Sequence, residues 1–378
     1  MKILYDLLCA QPAVGSKYHG GGEYAKTVFE KLSTFSENDL IVFFDKSKYM
    51  DEWILDLIEK ESVRVYNIQE YVSISEIFEH ENIEVFYSAL PYFDTKSIVP
   101  EYVLTIGTFH GLRLIEKPTD LIERYYVTGI YRSLKSIVKP CISIFLTKKW
   151  INKYRAFMRG FDEIVCVSEH TKYSIKNYFP ELEINPSVFY TPNKFVDNCR
   201  IGDALVEGKY ILMLGCNRWE KNGYRNILAI ENLKRQGQLL EYKIVTVGKI
   251  PPRISKIING KDYYIQFGYV PAEDLENLYY FCDLFLFTSL NEGFGMPPLE
   301  AMKYGKTCIV SGVCSLPEVC GDAVYYCNPY DVQEIQNRLI MGSEKKIKAD
   351  HVLNQVKKIR QRQDADLDKL CYLIMNKE

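Results

Sequence analysis

Glu292 and Glu300 stand eight residues apart in Asn291-Glu-Gly-Phe-Gly-Met-Pro-Pro-Leu-Glu-Ala301, around two glycines and two prolines. On one continuous helix they would project about 80° apart. The glycines and prolines forbid such a helix, so Glu292 falls before a turn and Glu300 just inside a helix. Gly293 and Gly295 let the backbone turn tightly and approach a ligand. Pro297 and Pro298 suit a first helical turn, where a missing N–H costs little. The amides and dipole of that turn attract an anion. Strand, glycine turn and helix start make a cradle for a phosphate or a sugar phosphate.

Lys221 and Arg218 form a second cluster, after the apolar run Tyr210–Leu214 and Gly215. Loops at the carboxyl ends of parallel strands are where open α/β sheets bind ligands. The plainer reading of these two cations is a solvated basic loop. Gly20, Gly21 and Gly22 follow the first strand and its loop and precede a helix. Their amides suit a phosphate, although flexible loops hold glycines too. His110 ends an apolar strand, where a histidine is either structural or a ligand contact. His19, His80 and His351 show no metal-ligand spacing, and His170 is given no chemistry.

The elements that must position these residues alternate. Strand-like runs lie near 2–8, 39–44, 62–67, 83–88, 102–107, 163–167 and 187–191. A second series lies near 210–215, 243–248, 263–267, 284–287, 307–310 and 324–327. Helical periodicity, as at Tyr24, Val28 and Leu32 from Glu23 to about Phe35, separates them, which implies parallel sheets. The polar, broken stretch 192–208 reads as a linker, and the last thirty residues as a charged helix.

The stretch 291–301 resembles the signature of the retaining glycosyltransferases of family 4, marked by two glutamates around E-G-F-G and L-E-A-M. Gly268-Tyr269-Val270-Pro271, with Leu275, Leu278, Tyr279 and Asp283, is similar to that family's preceding segment. Ser315–Val319, Gly321-Asp322-Ala323, Asn328-Pro329 and Asp331 are similar to its following one. The likeness is dense from about 210 to 331 and sparse, but in order, before that.

The resemblance implies an α/β protein of GT-B fold, two Rossmann-like domains with parallel sheets facing across a cleft. Residues 1–195 would hold the acceptor and 196–345 the nucleotide sugar, with 346–378 bracing the first domain. It implies that Lys221 and Arg218 neutralise the diphosphate, although the family arginine directly follows the glycine, where Cys216 stands. Glu300 would accept from the ribose diol, and Glu292 would contact the donor sugar and its developing charge. Tyr269, Val270, Gly293, Phe294, Gly295, Gly21 and Gly22 would complete the donor contacts, and His110 would touch the sugar. The activity implied is transfer of a hexose, with retention, from a UDP- or GDP-linked donor to a hydroxyl of a glycan or lipid-linked acceptor. Abundant Tyr, Ile, Lys and Asn point to an AT-rich bacterial genome and to surface-polysaccharide synthesis. The alternatives are a nucleotide-sugar epimerase of the same fold and a non-catalytic glycan-binding relative. No metal or other cofactor is expected, because Lys221, Arg218 and a helix start supply positive charge.

Composition bounds these expectations. A chain of 378 residues suggests two domains. With 47% apolar and 25% charged residues it reads as globular. A net charge of −2 argues against nucleic acid as partner. The first residues lack a signal-peptide layout, and no apolar run reaches the roughly 20 residues of a membrane span. Eleven cysteines without C-x-x-C pairs suit a reducing cytoplasm. One segment stands apart. Leu112–Gly160 carries eleven Lys or Arg against three acids, interleaved with aromatics. It reads either as a solvated helix pair covering the N-terminal sheet or as a surface for an anionic membrane. The lipid-linked acceptors of many family members favour the second, and with it a peripheral place on the inner face of the cell membrane.

Overall fold

A computed structural model describes residues 1–12, 19–35, 39–70, 74–91, 98–193 and 201–375. The chain forms two compact units. The first comprises Met1–Leu112, Lys149–Lys194 and Arg360–Glu378; the second comprises Arg113–Lys148 and Phe195–Ile359.

Among the described residues the first unit is built on seven strands: β1 (Lys2–Asp6), β2 (Asp39–Phe44), β3 (Arg64–Asn67), β4 (Val85–Ser88), β5 (Leu104–Phe109), β6 (Glu163–Cys166) and β7 (Ser187–Val188). All pair in parallel in the order β3-β2-β1-β4-β5-β6-β7. The second unit holds β8 (Tyr210–Leu214), β9 (Lys243–Val247), β10 (Tyr264–Phe267), β11 (Leu284–Phe287), β12 (Thr307–Ser311) and β13 (Tyr325–Cys327). Its parallel order is β10-β9-β8-β11-β12-β13. Each order reverses once, between β1 and β4 and between β8 and β11. The carboxyl ends of those strand pairs are the binding positions of doubly wound sheets.

The runs become strands because helices cover both sheet faces, so every residue of β4 and β11 is buried. Phe43, Ile77, Phe78 and Phe86 anchor one core of the first unit. Ile211, Ile230, Leu284, Ile309 and Leu339 anchor that of the second. Each such side chain stabilises its unit by about 1.5–3 kcal/mol.

Six helices matter below: α1 (Gly20–Ser33), α2 (Ile130–Val138), α3 (Ser143–Met158), α4 (Gly223–Arg235), α5 (Met296–Met302) and α6 (Ala349–Ile374). Helix α1 buries Tyr24, Val28 and Leu32, as the periodicity predicts. It starts earlier than Glu23 because the His19 side chain caps it, accepting from the Gly22 amide at 3.0 Å.

The division departs from the sequence boundaries in two places. Residues 113–148, expected on the N-terminal sheet, group with the second unit. Tyr125 stacks on Tyr224 at 3.8 Å between ring centroids, the Tyr224 amide donates to Tyr126 Oη at 2.8 Å, and Arg225 pairs with Asp120 at 3.0 Å. The second division falls inside α6 rather than at residue 346. The expected boundary at 195/196, with most of the 192–208 linker's first half, lies outside the described residues.

Candidate active site

In the second unit the chemistry gathers where the strand order reverses. Gly215, after β8, has φ +67°, and a Cβ there would meet the Lys221 stem at 3.1 Å. Glycine therefore both makes the turn and gives the lysine its path. A short turn, Trp219–Lys221, ends at Asn222, in the left-handed conformation at φ +61°. Asn222 is fully buried and donates to Thr288 Oγ1 and to the Pro329 carbonyl. The Leu290 amide and the Ser289 hydroxyl both donate to the Glu220 carbonyl, at 2.7 and 3.1 Å. The loop after β8 is thus tied to the loop after β11.

The second loop carries the glutamates. Ser315 Oγ donates to the carbonyls of Glu292 and Phe294 at 3.0 and 2.8 Å. Gly295 has φ +108°, and a Cβ there would strike Leu316 at 2.6 Å, so only glycine fits. Helix α5 begins beyond it, with proline in its first turn. It has only seven residues, which weakens the expected dipole contribution. Lys221 Nζ pairs with Glu292 Oε1, both side chains largely buried, and lies 5.2 Å from the Phe287 ring centre. Glu300, on α5, accepts from the Tyr279 hydroxyl at 2.6 Å. Tyr269 is exposed and Val270 partly so, in the loop after β10.

Arg218 differs from expectation in its partner. Its Nε and Nη2 both donate to Glu220 Oε1, at 2.8 and 2.6 Å. Arg113 approaches the same oxygen at 3.7 Å. Burial pushes the Glu220 carboxyl up, but the two guanidinium groups outweigh it and hold it below the usual carboxylate range. Sequence reasoning missed Glu220, Arg113 and Tyr279. The R-x-E spacing of Arg218 and Glu220 was the available signal for Glu220; nothing local pointed to Arg113, 107 positions away.

In the first unit His110 Nε2 lies 2.8 Å from the Ala89 carbonyl, so that nitrogen carries the proton and Nδ1 the lone pair. Its ring meets Tyr24 edge-on at 4.7 Å. Burial pulls its pKa down to about 4, against the weaker pull of the Ala89 carbonyl, so the ring is neutral near pH 7. Gly21 and Gly22 lie in the first turn of α1, but the Gly22 amide is already bonded to His19. A Cβ on Gly22 would meet His19 at 2.9 Å. Asp6, at the end of β1, is fully buried; it accepts from Ser88 Oγ at 2.7 Å and from the Leu8 amide at 3.0 Å. Burial raises it to about 7 despite those bonds. Asp364, Asp366 and Asp368 alternate along helix α6. There Asp366 accepts from the Tyr190 amide and pairs with Arg362, and Asp368 pairs with Lys31.

Comparison with known proteins places these loops in context. The family described as glycosyl transferases group 1 matches residues 201–359. The Escherichia coli serotype-specific mannosyltransferase WbdA is 39% identical over 120 residues, 29% of this chain and 14% of that protein. The Escherichia coli O-antigen chain mannosyltransferase B is 48% identical over 75 residues, 20% of each chain. This chain therefore spans a small part of the curated relatives it matches. Anabaena HepE, solved with UDP and glucose, superposes over 100% of both chains with a TM-score of 0.69 at 13% identity. Sucrose-phosphate synthase from Thermosynechococcus elongatus superposes over 99% of this chain and 98% of its own, with a TM-score of 0.68 at 13% identity. These likenesses establish the two-unit GT-B fold.

Proposed function

We propose, from the match of residues 201–359 to the glycosyl transferases group 1, that the chain transfers a hexose, with retention, from a nucleotide sugar to a hydroxyl of a glycan or lipid-linked acceptor. The mannosyltransferase relatives favour mannose as the sugar, and the O-antigen chain named for one of them favours surface-polysaccharide synthesis. The observation that carries the reading is the meeting of Lys221 and Glu292 at the strand-order reversal, with Glu300 one short turn further on.

The roles follow from charge. As the bond from the anomeric carbon to phosphate breaks, negative charge gathers on the diphosphate and positive charge on the sugar. Lys221 and Arg218 oppose the first, as oriented cations do in preformed sites. Glu292 steadies the second. Glu300 takes the ribose diol, and Tyr269 and Val270 border the nucleoside. His110, neutral with its lone pair on Nδ1, accepts from a sugar hydroxyl. The departing phosphate takes the acceptor proton, so no protein nucleophile is needed.

The test is incubation with UDP- and GDP-linked hexoses and a glycan acceptor, with the anomeric configuration of the product read by NMR. A glycoside of the donor's own configuration is expected. Donor isomerised without an acceptor product would identify an epimerase instead. Nucleotide binding with neither reaction would identify a binding protein.

A further inference from the structure

Helix α2 is inside out. The apolar stripe of an ordinary surface helix faces the core. Here Ser136 is buried, and Ser133 Oγ accepts from Arg253 at 2.6 Å, so the serines face the protein. Tyr131, Leu134, Ile137 and Val138 face outward, at 78, 58, 50 and 53% exposure. At 100° per residue they fill one arc of about 120°, with Lys135 about 40° beyond its edge and Arg132 about 60° further round. The pattern continues into α3, where Ile144 and Phe145 are exposed and Lys148 projects between them one turn on. From Tyr125 to Phe161 the chain has eight Lys or Arg and no Asp or Glu.

An apolar face with a purely basic border matches one surface better than others. A second copy of the chain, related by a two-fold axis, would bring the same bases against each other. An anionic bilayer offers phosphate to the bases and an apolar boundary to the rings and aliphatic chains. Among the described residues no helix is long and apolar enough to cross a membrane, so the geometry is that of a face lying on the lipid.

We propose that Tyr131–Lys148 seats the second unit on an anionic phospholipid surface. Leu134, Ile137 and Phe145 enter the headgroup boundary, while Arg132, Lys135 and Lys148 meet lipid phosphates. The inference stands on this face alone and does not depend on the transferase reading.

The test is co-sedimentation of the full chain with phosphatidylcholine vesicles, with and without phosphatidylglycerol. Binding is expected only with the anionic lipid, and it should weaken with salt, since exposed charges are screened beyond about 8 Å. Arg132→Glu with Lys135→Glu should lower the partition roughly thirtyfold or more, because each base near an anionic surface contributes about 1 kcal/mol. Leu134→Ser with Ile137→Ser, both exposed and so harmless to folding, should weaken it too. Equal recovery on both vesicle types overturns the proposal, as does no loss in either double variant. Self-association that Leu134→Ser abolishes, without vesicle binding, overturns it in favour of a second copy. Transfer to a soluble acceptor should be unchanged in all variants, so the two readings can fail separately.

Discussion

Lys221 and Glu292 are partners, the first from the loop after β8 and the second from the loop after β11. Both side chains are largely buried, so the pair fixes the two loops against each other and each charge depends on the other. A diphosphate would draw on the lysine and a developing cation on the glutamate. Lys221→Ala removes one oriented cation and should cut turnover by roughly 10²–10³, the scale of losing one preorganised contact. Purified variant assayed at saturating donor decides this; a normal rate would remove Lys221 from the mechanism.

The Tyr279 hydroxyl donates to Glu300 at 2.6 Å and holds the carboxylate from the buried side. Tyr279 itself is pushed well above the usual phenol range, by burial first and by the Glu300 charge second, so it stays a donor. With the ribose as its proposed partner, Glu300→Ala should raise KM more than it lowers kcat. Tyr279→Phe should have the same direction and a smaller size. Calorimetry with UDP and GDP reads both; unchanged affinity for the nucleotide used would contradict the assignment.

The strands were legible because parallel strands buried on both faces read as unbroken apolar runs, such as Leu284–Phe287. The glutamate loop was legible because its glycines and prolines have no other easy conformation. What stayed hidden depends on distant partners. The Tyr125–Tyr224 stack, which draws residues 113–148 to the second unit, joins residues far apart in sequence. Arg218's carboxylate partner is only two residues away, yet its fork could equally have faced solvent. The His19 cap was missed because a histidine is a rare N-cap and serine or aspartate is the usual signal.

Transfer should survive removal of divalent metal. Lys221, Arg218 and Arg113 crowd one carboxyl-end loop of the second unit, and on α6 Asp366 is engaged with Tyr190 and Arg362 and Asp368 with Lys31. Enzyme treated with EDTA and assayed in metal-free buffer should keep its rate. Activity that returns only with Mg²⁺ or Mn²⁺ would refute this.

Asp6 and His110 should give the first unit opposed responses to pH. Asp6 titrates near 7 in the folded chain, against an ordinary 3.8, because it is buried. Between those values the folded state keeps a proton that the unfolded chain has released, so this contribution to stability is full below about pH 4 and is lost as pH rises through 7. His110 titrates near 4, against 6.5, also through burial. There the unfolded chain binds the extra proton, so the contribution is full above pH 6.5 and is lost as pH falls to 4. The two slopes largely cancel between about pH 4 and 6.5. Asp6→Asn removes only the first. The variant should therefore gain stability steeply from pH 4 to 6.5. At pH 8 it should exceed the parent by up to about 4 kcal/mol, at 1.36 kcal/mol per pKa unit, less any loss in the Ser88 contact. Urea unfolding followed across this range, with a probe in the first unit, provides the measurement. A variant with the parent's flat profile would show that Asp6 is ionised in the folded protein.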